Sequence, residues 1–485
     1  MTSTPPKVET SPEALRALFD AQRSAFAAQP YPTAGERQRD LARLGTALRA
    51  HQHRLTRAIS EDFGQRPVQE TAFADFMVVQ NEIRHTRWHL RRWMRSRRAA
   101  TALQFLPARC RVTPQPKGVV GIIAPWNYPL LLSLNPLVNA LAAGNRVMLK
   151  LSEAVPRTAQ AVQVLLAELF PPEQVSVVLG GPETGRAFSQ LPFDHLLFTG
   201  SGRVGREVLQ AASANLTPVT LELGGKTPAL IAPDYPLKDA AEKIIWLKLF
   251  NAGQTCVTTD YVLLPRAAEA EFISHARAAA ERYYPTLAGN PDYAYLISER
   301  HAARLREAVE TAHKQGASVL PLVTEAHPER LSPRCMVPVL VSHVPGDSVL
   351  MTEEIFGPVL PLVPYDTVQQ ALDYVASRPR PLTFNLFTRS RTLVHRVERE
   401  THSGSLVVND SVIQFGQAAL PIGGIGASGM GAYHGEWGFR TFSHEKAVLL
   451  QSRLSLLPLF RPPYGRLFGL AMRLFTGNWP QPPAA

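Results

Sequence analysis

From Pro12 to about Arg98, apolar residues recur at spacings of three and four, as at Leu15, Leu18 and Phe19 and again at Leu41, Leu44 and Leu48. This spacing predicts a run of amphipathic helices. The pattern then changes. Residues 101–116 alternate and carry Pro107, Pro114 and Pro116, which predicts an extended strand or hairpin. Beyond Lys117, short continuous apolar runs take turns with longer amphipathic ones. Val119–Ala124 reads as a buried strand, followed by a turn at Pro125–Pro129 and an apolar helix from Leu130 to Ala143. Arg146–Leu149 is the next strand, and a helix opens at Ser152 and continues through Leu169. Val175–Leu179, His195–Phe198 and Val219–Leu223 supply three more strands. Strands alternating with helices predict a parallel, doubly wound α/β sheet.

The alternation repeats over residues 224–410. Pro228–Ile231, Tyr261–Leu264, Val337–Val341, Val359–Pro364, Thr383–Phe387 and Ser405–Val408 read as strands of a second α/β domain. The chain then ends in a tail punctuated by Pro458, Pro462 and Pro463. It closes on a short amphipathic helix that sets Leu467, Phe468, Leu470, Ala471, Leu474 and Phe475 against Arg466 and Arg473. Such a helix could lie on a membrane surface. Packing over a partner subunit or a tunnel mouth is the favoured expectation for one so short.

Composition narrows the class. A chain of 485 residues exceeds one simple core, and 45% hydrophobic with 19% charged residues describes a globular protein rather than a disordered one. Three cysteines, Cys110, Cys256 and Cys335, cannot build a disulfide framework, so a reducing, cytoplasmic setting is expected. No apolar stretch follows Met1 and no run of about 18 apolar residues occurs, so neither signal peptide nor membrane span is expected. Much of the net charge of +11 sits in Arg84, Arg87, Arg91, Arg92, Arg95, Arg97 and Arg98 beside Trp88 and Trp93. A solvated or interface-forming helix face accounts for it, and no nucleic-acid partner is expected. His85 and His89 stand four apart on that helix without a third ligand, so no metal site is expected.

Candidate chemistry centres on Phe250–Tyr261, where Cys256 lies between small and polar residues that suit a loop entering a helix. A thiol at a helix N-terminus is pulled toward the thiolate, and the N–H groups there could hold an oxyanion. An inert buried cysteine is the alternative. Asn127, in Pro125-Trp126-Asn127-Tyr128-Pro129 just past a strand, could aim its amide at such an oxyanion. Lys150 and Glu153, at the next strand end, could hydrogen-bond the hydroxyls of a ribose; a plain capping segment would read the same way. Gly200, Ser201, Gly202 and Gly205 form a G-x-G-x-x-G run between strand and helix, a natural pyrophosphate site. Glu222, between Leu221 and Leu223, is either a ribose ligand or a general base whose pKa its apolar setting raises. Glu354 and Phe356 pair a carboxylate with a ring, which suits the ribose and the ring of a nicotinamide riboside; a solvated acidic turn with one ring in the core would read the same way.

Together the segments Pro125–Pro129, Lys150–Glu153, Phe198–Gly205, Leu221–Lys226, Gly253–Cys256 and Glu354–Pro358 resemble the aldehyde dehydrogenase superfamily, in the same order, from about Asp40 to Lys446. Pro421–Gly426, Gly429–Gly435 and Thr441–Ser443 resemble its class 3 branch. Pro462-Pro463-Tyr464-Gly465 is similar to the tail of the bacterial coniferyl aldehyde dehydrogenases. The resemblance implies oxidation of an aromatic or medium- to long-chain aldehyde to its acid, with NAD or also NADP as cofactor. It implies Cys256 as nucleophile, Glu222 as the base that activates water, and Asn127 with the Cys256 N–H as oxyanion hole. Lys150 and Glu153 would hold the adenosine ribose, Gly200, Ser201 and Gly205 the pyrophosphate turn, and Glu354 and Phe356 the nicotinamide end.

It also implies a homodimer and a division of the chain. Residues 1–10 would be disordered, 11–100 helices on the cofactor domain, 101–116 a bridging hairpin and 117–223 a Rossmann-like NAD(P)-binding domain. Residues 224–410 would be the catalytic domain, 411–448 a bridging arm and 449–485 the tail. A CoA-acylating enzyme is less well supported, because Glu222 would have no water to activate. Three departures stand out: Leu151 where the family has proline, Thr258 and Thr259 after the cysteine, and polar Thr383 and Asn385 inside a strand.

Overall fold

The structure, a computed structural model, describes residues 9–477. The disorder expected for residues 1–10 falls mainly on 1–8, outside the described residues. Thr10, inside that stretch, is held: its N–H donates to the Leu179 carbonyl at 2.9 Å, and its hydroxyl accepts from the Leu179 N–H at 3.3 Å. The free polar groups past a strand end account for the difference.

The N-terminal helices form where the spacing places them. Pro12–Ala28 is capped by the Ser11 hydroxyl, and Ala34–Ala50 carries a full capping box between Thr33 and Glu36. Leu15, Phe19, Leu41, Leu44 and Leu48 are their buried positions. Further on, the helical stretch from Val68 to Trp93 widens into a π turn over Ala72–Met77. Such turns tend to mark functional sites, and this one carries Asp75 inward.

Two sheets organise the rest. The first has six strands in the order Gly429–Met430, Val219–Leu223, His195–Gly200, Val119–Ile123, Arg146–Lys150 and Val175–Val178. All are parallel except the two-residue edge, which pairs Gly429 with Glu222. Separate apolar clusters cover its two faces, one around Leu131–Ala143 and Ala159–Leu166, the other around Phe188, Val208 and Ala212. The second sheet runs Ser318–Pro321, Val339–Ser342, Val359–Tyr365, Tyr261–Pro265, Pro228–Ile231, Thr383–Phe387 and Ser405–Val408, antiparallel only at its first pair.

The bridging element differs from a self-contained hairpin at 101–116. Arg109–Pro116 pairs on one side with Arg97–Ala99 and on the other, over eight residues, with Ser443–Leu450. The partner that satisfies most of its backbone thus comes from the far end of the chain. Thr383 and Asn385 find partners too. Thr383 bonds the Ser405 hydroxyl at 3.0 Å and accepts from Gln414, while Asn385 donates to Thr259 and Ser411. Thr259, one of the departures after the cysteine, therefore belongs to a buried polar seam.

The tail helix spans Arg466–Thr476 and buries none of its residues. Its ring contacts, Tyr464 with Phe468 and Phe460 with Phe468 and Phe475, stay within the tail. Among the described residues no helix is long and apolar enough to cross a membrane.

Candidate active site

The turn at Pro125–Pro129 is held from beneath by a fully buried ion pair. The Asp75 carboxylate accepts the N–H groups of Leu130 and Leu131 at 3.2 and 3.0 Å, capping the apolar helix, and receives the Arg66 guanidinium at 3.0 Å. Arg66 also donates to the Asn127 carbonyl at 3.1 Å and stacks over the Tyr128 ring, 4.8 Å from its centroid. Removing one partner of such a pair strands the other charge in the interior, which costs about 3–5 kcal/mol. Asp75→Ala is therefore expected to lower the thermal unfolding temperature by several degrees, with Asp75→Asn intermediate. Melting curves of both against the parent protein check this.

The Asn127 side chain donates to the Gln254 carbonyl at 3.1 Å, tying the turn to the cysteine loop. That loop is strained: Asn251, Ala252 and Gly253 all take left-handed backbone, with φ of 51°, 51° and 74°. Buried groups enforce it. The Glu70 carboxylate accepts the Asn251 N–H at 2.9 Å. The Gln254 side chain donates to Asn251 and Tyr295 and accepts from Ile297.

Cys256 follows in a turn, and no helix begins there, contrary to the sequence expectation. Three left-handed residues rule out a helical entry. The N–H groups of Cys256 and Val257 still face the sulfur and favour the thiolate, but burial first, then the charges of Glu354 and Glu222, push the thiol well up. The residue remains partly exposed to the cavity.

Glu222 is buried on its strand, its Oε1 bonded to no protein group, and burial raises its pKa well above the carboxylate range. Glu354 lies against Gly224, where any Cβ would land on its carboxylate. Burial and then Asp260 push it up to about 8, against an N–H from Gly225. Asp260 pairs with Lys226 and accepts the Ile355 N–H at 3.1 Å, so it fixes the segment bearing Glu354 and Phe356. Phe356, at φ 57°, stands edge-on to Trp126 with centroids 5.4 Å apart.

These side chains meet. Asn127, Glu222, Cys256, Glu354 and Phe356 line one cavity of about 660 Å³, together with Tyr433. Lys150, Glu153, Gly200 and Ser201 line an adjoining one of about 700 Å³. Trp126, Thr199, Gly200 and Ser201 belong to both walls, so the two form a continuous trough. Lys150 donates to the Leu151 carbonyl at 3.2 Å and stands 3.6 Å from Glu153; burial lowers its pKa. Ser201 caps the helix Gly202–Ser213, whose first N–H groups face the trough midway. Polar groups at both ends that could bond a ribose, with a glycine turn and helix N-terminus between them, fit a dinucleotide.

Gly205 is the exception among the expected contacts. It lines neither cavity; a Cβ there would stand 2.7 Å from a Leu223 methyl, so it serves the packing of helix on strand. Of the nearby aromatic residues, Phe415 lines the cavity, and Tyr128 lies behind it, its hydroxyl 2.6 Å from Thr255. Phe73 and Trp246 line a separate shallow pocket, while Phe460 and Tyr464 remain in the tail. Arg66, Glu70 and Asp75 carried no signal in the sequence beyond ordinary helical or loop composition, and Tyr433 stood within the motif Gly429–Gly435 without a role assigned to it.

A trough that fits a dinucleotide and opens onto a cysteine, a buried carboxylate and a side-chain amide defines the class. The Aldehyde dehydrogenase family matches residues 7–448, and the chain belongs to it, an oxidoreductase acting on the aldehyde group. Over 463 residues it is 47% identical to a probable coniferyl aldehyde dehydrogenase of Pseudomonas aeruginosa, covering 95% of this chain and 96% of that one. It is 39% identical to a coniferyl aldehyde dehydrogenase of a Pseudomonas species, covering 93% and 94%. Among solved structures, the substrate-bound AldH of Staphylococcus aureus superimposes with a TM-score of 0.89 at 33% identity, covering 95% of this chain and 99% of that one. An aldehyde dehydrogenase of Mycobacterium tuberculosis complexed with NAD+ gives 0.83 at 29%, covering 92% of each chain.

Proposed function

We propose that this protein oxidises an aromatic aldehyde of the coniferyl type to its carboxylic acid, using NAD and admitting NADP. The observation that carries the reading is the meeting of Cys256, Glu222 and Asn127 in one cavity continuous with the trough of Lys150 and Glu153. The 47% identity to a probable coniferyl aldehyde dehydrogenase supports the substrate class.

When bound, the nicotinamide dinucleotide supplies the hydride acceptor. Lys150 and Glu153 would hold its adenosine ribose, the turn at Gly200 and Ser201 its phosphates, and Glu354 and Phe356 its nicotinamide end. Cys256 attacks the aldehyde carbon as the thiolate, its proton having first passed to water, and the oxygen, now negative, is met by the Asn127 amide and the Cys256 N–H. Loss of hydride from that thiohemiacetal leaves a thioester on Cys256. Glu222 then takes a proton from the water that attacks the thioester carbon, and the sulfur departs with its electron pair. A carboxylate whose proton affinity burial raises is suited to that step. Glu222 also distinguishes hydrolysis from transfer to CoA, which needs no such base.

We infer further a cytoplasmic homodimer. The strand Ser443–Leu450 borders its sheet with its other edge unpaired and Leu449 and Leu450 exposed, as a surface awaiting a second copy would be.

Reduced-cofactor formation across coniferyl aldehyde, benzaldehyde, hexanal and a long-chain aldehyde, with NAD and NADP in parallel, tests the reading. Coniferyl aldehyde is expected to give the highest kcat/KM. A preference for the long aliphatic chain would replace it with a fatty-aldehyde reading in which the exposed tail helix contacts membrane.

A further inference from the structure

The proton that Glu222 removes from water must leave the interior before the next turnover. Hydrolysis joins the water oxygen to the thioester carbon, breaks the carbon–sulfur bond and leaves one proton on a carboxylate with no bonded neighbour at Oε1. The segment Gly429–Tyr433 runs from the strand partner of Glu222 to the cavity wall. Gly429 pairs directly with Glu222, and its φ of 144° brings it so close to the Leu221 carbonyl that no side chain fits. Tyr433 is clamped in both directions to Ile422, by bonds of 3.0 and 2.8 Å. Its ring lines the cavity, and its buried hydroxyl bonds no protein group. It shares the cavity wall with Glu222 and Cys256, and two residues further on the Gly435 N–H reaches the carboxylate of Glu82.

Glu82 is the second unexplained group. It is buried on the helix Val78–Trp93, and the aldehyde chemistry gives it no task. Its Oε1 is fully engaged, accepting from the Asn139 amide at 2.5 Å, the Gly435 N–H at 2.8 Å and the Thr86 hydroxyl at 3.4 Å. Its Oε2 has no protein partner, and neither has Nδ1 of His434, the residue after Tyr433. Buried polar groups left open by the protein are held by ordered water, and a file of such groups conducts protons. No cation of the protein pairs with Glu82 to fix it as an ion. Gly435, bonded to Glu82, packs against the ring of His85, one turn further along the same helix. His85 is half-exposed, and its ring centroid is 4.3 Å from that of His89.

We propose that Tyr433 and Glu82 form the exit for the hydrolytic proton, leading it from Glu222 through the interior to the His85–His89 pair at the surface. The Tyr433 hydroxyl takes a proton from the Glu222 side as it passes its own toward Glu82 Oε2. Glu82, a carboxylate held at one oxygen and open at the other, stores and releases it. No electron moves and no other reactant is needed. Tyr433 and Glu82 are thus positioning and relay groups that make no bond to the reacting carbon or sulfur, and they act only in the second half of the reaction. The inference rests on the hydrolytic reading of Glu222 above.

Rapid-quench kinetics on Tyr433→Phe and Glu82→Gln test it, with hydride transfer followed as the burst of reduced cofactor and acyl-enzyme decay as acid released. In both variants the burst should keep its rate and amplitude, while decay slows about tenfold. Imidazole added as a diffusible proton carrier should restore decay in Tyr433→Phe and leave the parent enzyme unchanged. The double variant should be no slower than the slower single one. Unchanged decay in Tyr433→Phe overturns the proposal, as does an equal loss of burst and decay or a failure of imidazole to restore it. Tyr433→Phe removes a single oxygen and keeps the ring, so it remains decisive if Glu82→Gln misfolds. A parent enzyme that forms no reduced cofactor would instead sink the aldehyde reading itself.

Discussion

Replacing Cys256 with alanine is expected to abolish aldehyde oxidation, with turnover falling at least about 10⁴-fold, as loss of a covalent nucleophile does in comparable enzymes. Nothing else can substitute: the other two cysteines lie elsewhere, Cys110 on the bridging strand and Cys335 in the core beneath the second sheet. Cofactor binding should survive, because Lys150, Glu153 and Ser201 stand in the adjoining cavity. Titration of Cys256→Ala with NAD, followed by fluorescence, alongside the activity assay separates the two functions. Substantial remaining turnover would remove Cys256 from the mechanism. Cys256→Ser is expected to be nearly as inactive, since a hydroxyl in this site has no partner basic enough to ionise it.

Glu222→Gln should split the reaction in two. The neutral amide removes one of the two negative charges that push the Cys256 thiol up, so the first half, through hydride transfer, is expected to persist as a burst. The second half loses its base. Steady turnover should fall about 10²–10⁴-fold while a thioester accumulates on Cys256. Intact-mass measurement on enzyme quenched after the burst would find the acyl adduct. If the burst itself vanished, Glu222 would be acting on the thiol instead.

The parent enzyme's pH profile follows from the same two shifts. In the proposed mechanism the thiol and Glu222 both work in their deprotonated forms, and both hold protons more tightly than usual. Activity should therefore climb from neutral into the alkaline range, and that rise should be blunted in kcat when Glu222 is replaced.

The buried strands were legible because parallel strands covered on both faces read as continuous apolar runs; Pro228–Ile231 falls where the pattern sets it and Tyr261–Pro265 within one residue of it. Four strands were not. Arg97–Ala99 lies where the helical spacing was read on to about Arg98, Ser318–Pro321 is an exposed edge without period, Gly429–Met430 is two residues in a glycine-rich segment, and Ser443–Leu450 carries His444, Glu445 and Lys446. Each gains its strand character from its neighbour and not from its own side chains. The site divides in the same way. Residues that touch the trough sit in motifs whose spacing is visible, whereas Arg66, Glu70 and Asp75 sit on helices where a charged residue normally faces water. Only the packing reveals that they face inward. The helical entry expected at Cys256 failed for a backbone reason, since composition alone does not disclose that Asn251 and Ala252 turn left-handed.

The pairing of Arg109–Pro116 with Ser443–Leu450 has a consequence for how the protein is made. The two strands are separated by more than 300 residues. At a synthesis rate of about 5–20 residues per second, the first waits roughly 15–60 s for the second to leave the ribosome. Gly429–Met430, which closes the sheet beside Glu222, arrives equally late. Between the synthesis of Leu223 and that of Gly429 the nascent chain therefore carries two open strand edges, one of them bordering the candidate active site. Premature termination between those two points leaves both edges open permanently, so shortened products should be recovered as aggregates and as clients of chaperones, not as partly active enzyme.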